Sequence, residues 1–156
     1  MRRLEVAGGL VCVALFGASC SREVKPAVVT ITAETNGRPP APYDLLAPAS
    51  AAAGPTLFRF ENRGTRTHEL QLFRFRQGIS EDSGRTLLAR RSFGDSLVEP
   101  GTAVLIAPAH TAAPQQVLVY LKAGEVYGLM CQLRDSAGAP THDRLGEFTV
   151  LPVHAR

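Results

Sequence analysis

Phe58–Phe75 reads FRFENRGTRTHELQLFRF, two runs of alternating apolar and polar residues joined by a turn rich in charge. Alternation with period two sends successive side chains to opposite faces of a strand, so each run is expected to carry one core face and one wet face. Asn62-Arg63-Gly64-Thr65 supplies the turn chemistry between them. Outward from this stretch the same pattern recurs. Ala27–Ala33 (AVVTITA), Ala103–Ala107 (AVLIA), Gln116–Leu121 (QVLVYL), Glu125–Leu133 (EVYGLMCQL) and Glu147–Leu151 (EFTVL) all have strand character. Turns at Glu99 (EPGT), Lys122 (KAGE) and Ser136 (SAGAP) separate them.

Two segments interrupt the series. Asn36–Pro55 is rich in Pro and Ala and reads as a wandering connection with one short strand or turn. Ser80–Arg91 (SEDSGRTLLARR) has a helix-compatible order, with Ser80 as N-cap, acids in the first turn and arginines in the last, weakened by Gly84. Many short strands and one short helix predict an all-β sandwich. No internal repeat is visible, and no second domain is needed.

The first twenty residues, MRRLEVAGGLVCVALFGASC, read as an export signal. Arg2 and Arg3 precede an apolar run, Val6–Phe16, too short to remain as a transmembrane helix. Gly17, Ala18 and Ser19 then lead into Cys20, which resembles the lipobox of bacterial lipoproteins; that resemblance implies acylation of Cys20 and a lipid anchor in the membrane. Residues 21–27 become a tether and residues 28–153 the domain. Cys131 is then the one cysteine of the domain, so no internal disulfide can form.

Composition narrows the function. The net charge of +3 is too small to argue for nucleic acid, and the chain has no tryptophan with which to build a stacking platform. There is no glycine-rich phosphate loop, no CxxC and no HExxH. A hydrolytic Cys131–His142 dyad would need an orienting acid, with Asp135 or Asp143 the nearby candidates. Of four histidines, His154 lies in the tail and His110 in a loop, both expected to be solvated. His68 opens a strand, Cys131 closes one, and His142 lies in the loop before the last strand. As the leftover cysteine of an exported chain, Cys131 is a buried inert thiol, an intermolecular bridge or a metal ligand. In the first case it packs as a core thiol, His68 bonds its turn and His142 is solvated.

FRFENRGTRTHELQLFRF together with AGEVYGLMCQLRDSAGAPTHDRLGEFTVL, Ala123–Leu151, resembles the cupredoxin family over nearly the whole of 28–153. The resemblance implies a cupredoxin-like Greek-key β-sandwich with a copper ion at one end, and His68, Cys131 and His142 as ligands. It also implies one-electron transfer or copper handling rather than enzymatic turnover. The protein would be a monomer whose partner is a redox protein or a copper donor. Where the family pattern has a methionine, Leu145 or Gly146 stands nearby, and Met130, adjacent to Cys131, should point to the opposite face of its strand. The competing expectation is a non-metal sandwich that serves as an interaction or assembly module.

Overall fold

The computed structural model describes residues 24–90 and 96–156. Their elements run β1 (Ala27–Thr35), β2 (Tyr43–Leu46), β3 (Ala51–Ala52), β4 (Gly54–Asn62), β5 (His68–Phe75), α1 (Glu81–Arg90) and β6 (Val98–Ala107). They continue with β7 (Val117–Leu121), β8 (Val126–Met130), a 3-10 turn (His142–Leu145) and β9 (Phe148–His154). The export segment, Cys20 and the first three residues of the tether, 21–23, lie outside the described residues. Among those described, no helix is long and apolar enough to cross a membrane.

The strands form two packed sheets, ordered β2-β1-β4-β7 and β3-β9-β8-β5-β6. β4 and β7 pair in one sheet while the intervening β5 and β6 pair in the other, so the chain returns to its starting neighbour in Greek-key fashion. β1 lies parallel to β4, with Ile31 opposite Phe60, and both side chains are buried. They meet Leu70, Leu72, Leu105, Leu129 and Leu151 from the facing sheet in one apolar core. The expected β-sandwich with one short helix is what forms.

β5 departs from the expected wet face. Leu70 and Leu72 enter the sandwich core, while Phe73 and Phe75 pack into a second cluster with Leu88, Val126, Met130 and Val150. α1 creates that cluster by covering the outer face of the five-stranded sheet. Gly84, which weakens the helix in isolation by about 1 kcal/mol, is what allows the docking: a Cβ there would stand 3.0 Å from the Phe75 ring. The Ser80 hydroxyl accepts from the Ser83 N–H at 3.2 Å and caps the helix as expected. Gly128 serves a similar purpose opposite Phe73, whose ring fills the space where a side chain would be.

The Asn36–Pro55 connection contains two short strands. β2 pairs with the end of β1 and brings the buried Tyr43 to one pole of the sandwich. The same pole holds Thr35, the Asn62–Thr67 turn, Cys131 and the 3-10 turn. The opposite pole holds Ala27, where β1 begins, and the Lys122–Glu125 turn.

Candidate metal centre

Asn62 organises the first half of the site. Its buried amide donates to the carbonyls of Arg66 at 2.7 Å, Ala107 at 2.9 Å and Pro108 at 3.0 Å. Its side-chain oxygen accepts from the Gly64 N–H at 2.8 Å. A turn pinned this way delivers His68 at the first position of β5 with its ring fully buried. Gly64 passes so close that a Cβ would lie 2.9 Å from His68 Nε2.

The second half comes from the chain between β8 and β9. Strand pairing ends at Met130, and the Cys131 N–H donates to the Glu147 carbonyl at 3.1 Å. The Cys131 carbonyl accepts from the Asp143 N–H at 2.7 Å, and the His142 N–H donates to the Leu133 carbonyl at 2.9 Å. Gly146 ends the 3-10 turn at φ 104°, a left-handed conformation that glycine adopts without steric cost. A Cβ at Gly146 would stand 2.8 Å from both the Ala41 Cβ and the Tyr43 carbonyl oxygen. The tight turn aims Glu147 inward.

Four side chains converge. The ligand atoms of His68, Cys131, His142 and Glu147 all lie within 4.8 Å of one another, and all four residues are buried. His142 Nδ1 stands 3.2 Å from His68 Nδ1 and 3.4 Å from Cys131 Sγ. Glu147 Oε2 lies 2.6 Å from His68 Nδ1 and 3.3 Å from His142 Nδ1. Both imidazoles thus turn the same nitrogen toward the thiol and the carboxylate. His68 Nε2 and Glu147 Oε1 are buried without a hydrogen-bond partner.

A shell of neighbours holds this group in place. Tyr43 covers both imidazoles, with ring centroids 5.2 Å from His68 and 4.5 Å from His142. Its hydroxyl donates to Asp135 at 2.6 Å, and the other oxygen of Asp135 lies 3.3 Å from His142 Nε2. Asp135 therefore favours a proton on Nε2 and leaves the inward Nδ1 lone pair of His142 free to bind. The Glu69 N–H donates to Cys131 Sγ at 3.3 Å.

Electrostatics follow from this packing. Burial, reinforced by Glu147, pushes the Cys131 thiol well above its ordinary range, so without a cation it stays protonated. Burial opposes the charge on His142, but hydrogen bonds and attraction from Glu147 and Asp135 outweigh it and raise its pKa. Burial also opposes the charge on Asp135, yet its bonds from Tyr43 and His142 hold its carboxyl below the usual range. Burial and then Asp135 push Tyr43 up to about 12.

The donor set fits a metal ion. Bonds of roughly 2.0–2.3 Å in a tetrahedral site separate donors by about 3.3–3.8 Å, and three of the separations here are 3.2–3.4 Å. The His68 Nδ1 to Glu147 Oε2 distance is shorter, 2.6 Å, the length of a hydrogen bond. Two imidazoles and a thiolate suit copper or zinc, and a carboxylate completes four. Cys131, His142 and Asp135 also stand in the order of a nucleophilic triad. A fully buried thiol held protonated beside a carboxylate is a poor nucleophile, however.

His68, Cys131 and His142 thus stand together, while His110 and His154 are exposed. Met130 faces the cluster under α1, away from the site. The residue completing the group is Glu147, rather than Leu145 or Gly146 at the position marked by the missing methionine. The signals for it were an acid directly after a glycine and a lone charge at the mouth of an apolar strand. Tyr43, in a Pro- and Ala-rich stretch, carried none.

No family model matches the chain, and no curated protein matches it. Among solved structures it is similar to auracyanin B, at 15% identity over 83% of this chain and 91% of that one, with a TM-score of 0.48. Auracyanin A, described as a "blue" copper protein from the green thermophilic photosynthetic bacterium Chloroflexus aurantiacus, matches at 16% over 83% and 99%, TM-score 0.47. Reduced auracyanin from Roseiflexus castenholzii matches at 14% over 81% and 96%, TM-score 0.47. These are loose likenesses. The case for the site rests on its own donor atoms.

Proposed function

We propose that residues 28–153 form a cupredoxin-like copper protein, with His68, Cys131, His142 and Glu147 holding the ion. The convergence of these four buried donors within 4.8 Å is what supports the reading. The function is one-electron transfer or copper handling, and the ion supplies the change of charge. Cys131 gives a covalent thiolate path, and Asp135 and Tyr43 fix the imidazoles. The packed sandwich holds the donors still, which keeps reorganisation small.

The anchoring belongs to the same reading. Residues 1–20 act as export signal, Cys20 carries lipid and residues 21–27 form the tether. β1 leads from Ala27 to Thr35 beside the site, a nine-residue strand spanning about 30 Å. Such an anchor would leave the metal pole facing away from the membrane, toward a redox protein or copper donor.

The test is addition of copper(II) to the purified domain. Strong visible absorption from thiolate-to-copper charge transfer is expected, and Cys131→Ser abolishes it. A colourless protein whose melting temperature ignores copper would sink the reading and leave the non-metal interaction module.

A further inference from the structure

The donor group carries an uneven complement of charge. A bound ion displaces the Cys131 proton, so the pocket then holds two anions, thiolate and carboxylate, beside two neutral imidazoles. A divalent ion brings the sum to zero. A monovalent ion leaves one net negative charge among four buried side chains, and an uncompensated charge taken out of water is costly.

No arginine or lysine of the described residues pairs with that charge. Among the described residues, the ion-pair partners of Glu147 are the two imidazoles of the site itself. Arg66, on this side of the molecule, is exposed and stands 3.5 Å from Asp135, so the two surface charges answer each other. Glu147 Oε1 is buried without a partner, which leaves a second anionic oxygen free to reach a bound ion.

We propose that Glu147 sets a valence preference: the centre takes divalent zinc or copper(II) over copper(I), and its copper form rests oxidised. This rests on the metal-site reading above but adds a separate claim about one residue. Adding an electron to the copper(II) form reduces it to copper(I) and takes the pocket from neutral to net negative. The reduced centre therefore passes its electron on readily. Zinc(II), with the same charge and a taste for the same donors, competes for the site.

Competition titrations with chelators decide it, measuring zinc(II), copper(II) and copper(I) separately on the wild-type domain, Glu147→Gln and Glu147→Asp. Glu147→Gln is expected to weaken both divalent ions by roughly tenfold or more and to leave copper(I) within about threefold. Glu147→Asp, which keeps the charge, retains the wild-type preference. Equal weakening of all three ions by Glu147→Gln, or no change in their ratio, overturns the proposal while the metal site stands. A wild-type domain that takes up none of the ions overturns both. Melting curves of the metal-free variants establish folding, and Glu147→Leu, neutral, without a donor atom and tolerant of burial, is judged by the same ratio if Glu147→Gln does not fold.

Discussion

Glu125 precedes β8 at one pole of the sandwich and Glu147 precedes β9 at the other, and their surroundings answer them differently. Glu125 keeps partial contact with solvent and meets the Arg74 guanidinium at 2.6 Å and the Tyr127 hydroxyl at 3.1 Å. Arg74 also reaches Glu99 at 3.9 Å. Glu147 has no exposed surface, and its partners are two imidazoles and a thiol. One carboxylate has its cation built in. The other has a set of metal-binding donors where that cation would be.

Four measurements can break or sharpen this contrast. The largest effect is expected from metal itself. Zinc(II) or copper(II) at about a thousand times its dissociation constant stabilises a folded site by ~4 kcal/mol, or roughly 15 °C in melting temperature for a domain of this size. A chelator should reverse the gain. Glu147→Gln should lose about a third of it or more and Glu125→Gln none; equal losses at the two positions would erase the distinction between the poles.

Next comes Gly146→Ala, which forces a side chain into a left-handed backbone position already crowded by Ala41 and Tyr43. Strain and overpacking together should cost about 2–3 kcal/mol in denaturant unfolding. A change within ~0.5 kcal/mol would mean that the turn presenting Glu147 is not held as described.

A smaller effect is expected from pH. His142 in the metal-free protein has a pKa raised above its ordinary 6.5, with Glu147 and Asp135 outweighing burial. A raised folded pKa contributes stability that is fully present below the unfolded value and disappears as pH climbs through the folded one. The metal-free melting temperature should therefore fall as pH rises above about 6.5, and the fall should be shallower in Glu147→Gln. An unchanged slope in that variant would remove Glu147 as the cause. The smallest effect belongs to the other pole. Glu125→Gln should cost less than ~1 kcal/mol, since the Arg74 pair is partly exposed and screened; a loss several times larger would make that pole as demanding as the metal pole.

The legible parts of the site were those tied to local pattern. His68 could be seen because a charged turn ends at it and an alternating strand begins. Cys131 stood out as the lone cysteine of the domain, close after an apolar strand, and His142 as the histidine of the next loop. Glu147 was harder, because its inward aim depends on the left-handed Gly146 and on backbone bonds to Cys131 and His142. Tyr43 was harder still. Its segment shows no alternation, and only pairing with β1 carries it over the two imidazoles. The wet face expected on β5 failed for a related reason: α1 covers it, and a strand's own alternation does not register what packs on top.

Alternating strands, turn chemistry and one capped helical segment were enough, from residue order alone, to argue for a β-sandwich, and the resemblance to cupredoxins pointed to three candidate donors in it. Each of those signals acts over a few residues, through side-chain direction and backbone preference. The fourth donor and the charge state of the site were decided only in three dimensions. His68 and Glu147 are 79 residues apart and His142 lies 74 residues from His68, and only the register of β5, β8 and β9 sets their ligand atoms side by side. Whether a carboxylate is paired with an arginine, as at Glu125, or faces two imidazoles and a thiol, as at Glu147, depends on which strands become neighbours.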